Sequence, residues 1–113
     1  MSVLTEVQMS LQRKKKWCRL CLRKFDAGTA NMEDLARLHV RLLKKLDRQR
    51  ALYRMARDFL TPMDRIGAAC EAKLTRDKIS GTEMAMSLIV QATILGDLDG
   101  LPKSGGDFNE VEG

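Results

Sequence analysis

The sequence predicts an all-α fold, a small bundle of about four helices in which the second is long and basic. Apolar residues recur at three- and four-residue spacing along most of the 113-residue chain. Only two prolines occur, and none lies between Val3 and Leu60, where it would interrupt a helix. Aromatic residues make up 4% of the chain and methionine is plentiful, which favours an aliphatic helical core.

The first predicted helix runs from Val3 to Phe25, with Ser2 as its N-cap. Its apolar stripe consists of Leu4, Val7, Leu11, Cys18, Leu22 and Phe25. A basic face lies beside the stripe and is formed by Lys16, Arg19 and Arg23. This helix is therefore expected to pack by one side and to present positive charge on another.

The second predicted helix, Met32 to Leu60, follows a turn in which Gly28 can adopt the left-handed conformation and Asn31 can cap. It would be about 43 Å long at 1.5 Å per residue, and we expect it to pack antiparallel to the first helix. The rest of so short a chain cannot cover a helix of that length. We therefore expect a homodimer, formed through apolar side chains near the end of this helix: Leu52, Tyr53, Met55, Phe59 and Leu60.

Two shorter helices complete the predicted bundle. Thr61 can cap a third helix, residues 62–78, with Pro62 in the first position, where its missing N–H is not needed. Ser80 and Glu83 have the spacing of a capping box for a fourth helix, residues 81–95. That helix is apolar nearly all round, so we expect it to be the most buried of the four.

The chain is read as one domain, residues 1–102, followed by a disordered acidic tail, residues 103–113. No signal peptide is apparent, and the longest apolar stretch, Met84 to Leu95, is too short to span a bilayer, so no integral membrane segment is expected. Three cysteines do not make a disulfide framework. A cytoplasmic or nuclear location is the corresponding expectation.

Positive charge is concentrated in the first half of the chain. Residues 1–60 carry 15 Lys and Arg against 6 Asp and Glu, whereas residues 61–113 carry 5 against 9. On the second helix the cations recur at helical spacing along one face: Arg37, Arg41, Lys44, Lys45 and Arg48. Such a face favours binding to a polyanion, although it is also compatible with simple solvation of a helix surface.

Catalytic and metal-binding signatures are weak. Cys18 and Cys21 form a C-x-x-C pair that His39 and Cys70 could complete as a zinc site, but the pair lies inside a helical pattern, which favours small core residues. His39 fits a boundary position better than a catalytic base. The carboxylates are spread among basic residues as in surface salt bridges: Asp47, Asp58, Asp64, Glu71 and Asp77. We therefore expect neither an enzyme nor a cofactor.

The sequence thus indicates a non-enzymatic nucleic-acid-binding protein, with duplex RNA favoured because neither a helix-turn-helix nor a series of stacking aromatics is present. The predicted contacts are the eight cations of the two basic faces: Lys16, Arg19, Arg23, Arg37, Arg41, Lys44, Lys45 and Arg48. The layout resembles the dimeric all-helical RNA-binding modules of some viral host-defence suppressors, a likeness that transfers no residue. The alternative is a helical adaptor or regulatory protein that engages an acidic or amphipathic partner. A basic first helix lying on an anionic membrane is a third reading.

Overall fold

The computed structural model describes residues 3–99, with side chains described for residues 3–96. Three α-helices occupy this part of the chain: α1 (Val3–Asp26), α2 (Met32–Ala56) and α3 (Pro62–Asp99). A short 3₁₀ turn, Arg57–Phe59, joins α2 to α3, and no strand occurs among the described residues. The all-helical prediction is confirmed, with three helices in place of four.

Helix α3 lies at the centre of the molecule, and α1 and α2 contact it far more than they contact each other. Arg13 and Trp17 of α1 meet Asp77 and Thr82 of α3, so these two helices run parallel. Helix α2 runs antiparallel to α3, because its residue Leu46 lies near Ile79 and its earlier residues lie further along α3. Helices α1 and α2 therefore run antiparallel to each other, as expected, but α3 supplies the main packing surface for both.

Between α1 and α2, Gly28 and Asn31 have the roles that the sequence predicts. Gly28 has a φ of 78°, the left-handed conformation that ends α1. The Asn31 side chain accepts a hydrogen bond of 2.8 Å from the backbone N–H of Asp34 and caps α2. These local signals are readable because each depends only on residues within one turn of the helix end.

The end of α2 differs from the predicted boundary. The helix stops at Ala56, and the chain tightens into the 3₁₀ turn before Leu60 becomes extended. Pro62 disfavours helical backbone only at Thr61, the residue before it, so it does not account for the end of α2 at Ala56. Thr61 then caps α3, where its hydroxyl accepts from Asp64 N–H and the Asp64 carboxylate accepts from Thr61 N–H.

The predicted third and fourth helices are one continuous helix, so the capping box assigned to Ser80 and Glu83 is wrong. Glu83 instead reaches across to α2, where its Oε2 lies 2.9 Å from His39 Nε2. Gly81 serves close helix packing: a Cβ there would lie 2.7 Å from the carbonyl oxygen of Lys14 and 3.0 Å from Trp17 Cβ. Gly81 is therefore the position at which α1 and α3 approach each other closely.

Within residues 3–96 the buried apolar side chains form two small clusters. One cluster joins all three helices through Cys18, Cys21, Leu35, Ala85 and Ile89. The second joins α2 to α3 through Leu42, Leu46 and Ile79. Both clusters contact the middle and the C-terminal part of α3. Neither includes a buried residue from the first turns of α3.

The predicted helix of residues 81–95 is part of α3, and it is buried on one side only. Ala85 and Ile89 are buried, but five large apolar side chains of this segment are exposed: Met84, Leu88, Val90, Ile94 and Leu95. The two neighbouring helices cover only part of the circumference of α3: Leu88 lies at the level of Leu22 and Phe25 of α1 and is exposed all the same. An apolar sequence is buried only where neighbouring helices are present to cover it.

Two further expectations concern parts or states of the molecule beyond these helices. The tail predicted for residues 103–113 lies outside the described residues, as does the end of the domain assigned to residues 1–102. Leu52, Met55 and Phe59, which were expected to mediate dimerisation, are exposed, and Tyr53 and Leu60 are partly buried. The homodimer stays a prediction.

Candidate nucleic-acid interface

The basic stripe of α2 lies in one unbroken helix and faces solvent. Arg41, Lys44, Lys45 and Arg48 are all exposed, and among residues 3–96 none of the four forms an ion pair. Their spacing places them on one side of α2, away from the Leu42 and Leu46 side chains that pack on α3. From Arg41 to Arg48 the stripe covers about 10 Å of helix.

Arg37 belongs to the same sequence pattern but has a different environment. Its guanidinium lies 2.7 Å from the carboxylate of Glu33 and 2.9 Å from that of Asp34, both on the preceding turn of α2. All three side chains are exposed, so the pairs themselves are weak, but they place two negative charges beside Arg37. Arg41 is therefore the first cation of the stripe without a carboxylate partner among residues 3–96.

The cations of α1 lie on a separate surface. Lys16, Arg19 and Arg23 line a shallow depression on α1 together with Leu22 and Asp26. Among the described residues none of these three cations forms an ion pair, so they remain available for an anion. The structure does not join them to the α2 stripe in one continuous groove.

A groove of about 360 Å³ does lie between α1 and α2. Its charged lining residues are Lys24 of α1 and Asp34, Arg37 and Arg41 of α2. Lys24 was not among the predicted contacts, because it does not share the helical spacing of Lys16, Arg19 and Arg23. Its position in the last turn of α1, directly before the connection to α2, could have indicated that it lies in the groove between these two helices.

The candidate zinc ligands are not brought together. Cys18 and Cys21 are buried in the core, Cys70 is exposed on α3, and His39 contacts Glu83. Among the described residues no group of three or more His, Cys, Asp or Glu side chains could hold a metal ion. Burial raises the pKa of both core thiols. At Cys18 the positive charge of Arg19 offsets part of this rise, and at Cys21 a hydrogen bond to Thr82 does so.

Trp17 and Tyr53 are both turned toward α3. The Trp17 indole N–H donates a 2.7 Å hydrogen bond to Thr82, and the Lys78 ammonium lies 5.1 Å from its ring centre. Tyr53 is partly buried beside the alanines of α3. Neither ring is placed as an open platform for a nucleic-acid base.

Asp77 departs from the prediction that the carboxylates are solvated. It is buried and accepts hydrogen bonds of 2.6 Å from Ser10 and 2.9 Å from Arg13. The Arg13 side chain is partly exposed, so its head remains in contact with water. This pair ties α1 to α3 and removes Arg13 from the set of cations available to a ligand.

No protein family, curated protein or solved structure matches this chain. Among the described helices one, α3 over Pro62–Gly96, is long and apolar enough to cross a membrane by length and composition. The core helix of a soluble protein passes the same test, and α3 packs against both α1 and α2, so this is weak support for a span. The features that bear on function are therefore the basic stripe of α2 and the cations of α1.

Proposed function

We propose that this protein is a non-enzymatic helical protein that binds duplex nucleic acid, RNA in preference to DNA, through the exposed basic stripe of α2. One observation carries the proposal: Arg41, Lys44, Lys45 and Arg48 stand on one face of a rigid helix without carboxylate partners in the described part of the chain. Phosphate groups that replace the counterions of such a stripe release those ions, which favours binding.

The expected recognition is by shape and charge. A sequence-specific reader needs side chains that reach base edges, and a single-strand binder needs open aromatic rings. Trp17 and Tyr53 are instead packed toward α3. Duplex RNA is the favoured ligand because its recognition depends mainly on backbone contacts and helix shape.

The test compares two charge-matched variants of α2 in binding to duplex RNA. Arg41→Ala/Lys44→Ala removes two cations of the stripe, and Arg50→Ala/Arg54→Ala removes two cations from another face of the same helix. We expect the first variant to bind duplex RNA at least about tenfold more weakly than the second at low salt. Both should retain the stability of the unmodified protein to within about 0.5 kcal/mol, because the four side chains are exposed.

Equal affinities of these two variants would contradict a specific role of the stripe. If the unmodified protein does not bind duplex RNA, duplex DNA or single strands, the nucleic-acid function itself is wrong. The adaptor alternative would then be favoured by the large apolar side chains exposed on α3, among them Leu88 and Ile94. In that case the stripe variants should instead slow association with an acidic protein partner.

A further inference from the structure

The fold collects exposed apolar side chains at one end of the molecule. Helix α1 begins there, α2 ends there and α3 begins there, as the shared cavities show: Met9 of α1 faces Cys70 of α3, and Tyr53 of α2 faces Ala68 of α3. The exposed apolar residues of this end are Val3, Leu4, Val7, Leu52, Met55, Phe59, Met63 and Ile66. We call this surface, together with the arginines beside it, the apolar–cationic end.

The exposure of these side chains is large. Phe59 is 87% exposed, Met55 77% and Met63 76%, and all three lie in or next to the connection between α2 and α3. Neither core cluster reaches this connection. A concentration of apolar side chains on one surface is typical of an interaction site, whereas exposed apolar residues scattered singly need no explanation.

Cations surround this end, although Arg50 and Arg54 stand on a different face of α2 from Leu52 and Met55. Residues 50–66 contain the four arginines Arg50, Arg54, Arg57 and Arg65 and only two carboxylates. Both carboxylates are engaged locally: Asp58 lies 3.9 Å from Arg57, and Asp64 accepts from the backbone N–H of Thr61. Within the described chain Arg50, Arg54 and Arg65 form no ion pair.

We infer that the apolar–cationic end docks on the surface of an anionic lipid membrane. Anionic lipids combine a phosphate with acyl chains, so they offer this surface both negative charge and apolar depth. Nucleic acid would leave Met55, Phe59 and Met63 in water. A homodimer joined through this end, the interface that the sequence predicts, would bring the unpaired arginines of both chains together, and like charges across an interface are unfavourable.

In the docked state the apolar side chains enter the boundary between headgroups and acyl chains, about 5–10 Å deep. The arginines remain at the level of the lipid phosphates, where each planar guanidinium can donate hydrogen bonds to two phosphate oxygens at once. Leu52 and Met55 stand on the same face of α2 as the stripe, with Met55 seven residues after Arg48, so the stripe leads toward this end. Substitutions in the stripe and in the end therefore have to be compared in the same experiment.

The experiment is co-sedimentation of the full chain with lipid vesicles, either neutral phosphatidylcholine or the same lipid with about 30% phosphatidylserine. We expect binding to the anionic vesicles that weakens with salt and little binding to the neutral ones. Met55→Ser/Phe59→Ser should weaken binding at least about tenfold, since two apolar side chains no longer enter the lipid. The matched control Ile94→Ser/Leu95→Ser, at the opposite end of α3, should change it less than about twofold.

A second pair tests charge independently of the apolar change. Arg50→Gln/Arg54→Gln should weaken binding to anionic vesicles about thirtyfold, and Arg41→Gln/Lys44→Gln should weaken it much less. Equal binding to neutral and anionic vesicles, or unchanged binding by both end variants, would overturn the inference. So would light scattering that shows a dimer which Met55→Ser/Phe59→Ser converts to a monomer, because the end would then be a self-association surface.

Discussion

Gly81 illustrates how one atom determines the spacing of two helices. An added Cβ would lie 2.7 Å from the carbonyl oxygen of Lys14, which is backbone and cannot rotate away. At Gly67, also in α3, an added Cβ meets nothing within 4 Å. The two glycines therefore have opposite roles although they occupy the same helix.

We expect Gly81→Ala to destabilise the protein by about 1–3 kcal/mol, because α1 must move away from α3 to make room. Gly67→Ala should instead stabilise it by up to about 1 kcal/mol through helix propensity. Urea unfolding followed by circular dichroism measures both free energies. A Gly81→Ala variant as stable as Gly67→Ala would show that the helices do not approach each other as described.

The three cysteines should differ in reactivity. Cys70 is exposed, whereas Cys18 and Cys21 are 3% exposed and burial raises the pKa of their thiols, which lowers the fraction of reactive thiolate near neutral pH. We expect a thiol reagent at pH 8 to label Cys70 rapidly and the other two only after the protein opens. Cys70→Ser should abolish the fast phase. Rapid labelling of all three thiols in the folded protein would contradict the buried position of Cys18 and Cys21.

Thr61 and Ser80 show why the chain forms three helices and not four. Both residues precede a segment that reads as a helix start, but Thr61 caps α3 whereas Ser80 lies within it. Thr61→Ala should therefore cost about 1 kcal/mol of unfolding free energy. Ser80→Ala should be neutral or stabilising by a few tenths of a kcal/mol. A comparable loss from Ser80→Ala would indicate that a fourth helix does begin there.

The helix ends could be predicted where their signals are local. Gly28, Asn31 and Thr61 each act within one turn of the chain, and all three have the predicted roles. The continuity of α3 through Gly81 could not be predicted, since the reason for that glycine is a contact with a helix more than sixty residues away in sequence. Sequence periodicity likewise could not reveal which apolar residues lack a neighbouring helix.

The candidate site was predictable to a similar degree. The α2 stripe follows from spacing alone, and even the pairing of Arg37 could have been recognised, because Glu33 and Asp34 stand four and three residues before it. The separation of Lys16, Arg19 and Arg23 from that stripe required the positions of α1 and α2 around α3. Spacing describes one helix, whereas a surface formed by several helices depends on how they pack.

At the level of the whole molecule, two kinds of surface adjoin along α2. The basic stripe carries charge without exposed aromatic rings, and the same face continues through Leu52 and Met55 into the apolar–cationic end. Both surfaces are open because the buried apolar side chains among the described residues form two clusters, with α3 as their common element.

The salt dependence of duplex RNA binding tests the central claim most directly. For contacts between four cations and phosphates, the logarithm of the association constant should fall with the logarithm of salt concentration with a slope of about −3.6. Each substitution of Arg41, Lys44, Lys45 or Arg48 by Ala should reduce the magnitude of that slope by about one, equally for every duplex sequence. An affinity that is independent of salt, or a slope that the Arg41→Ala/Lys44→Ala variant leaves unchanged, would contradict binding by the α2 stripe.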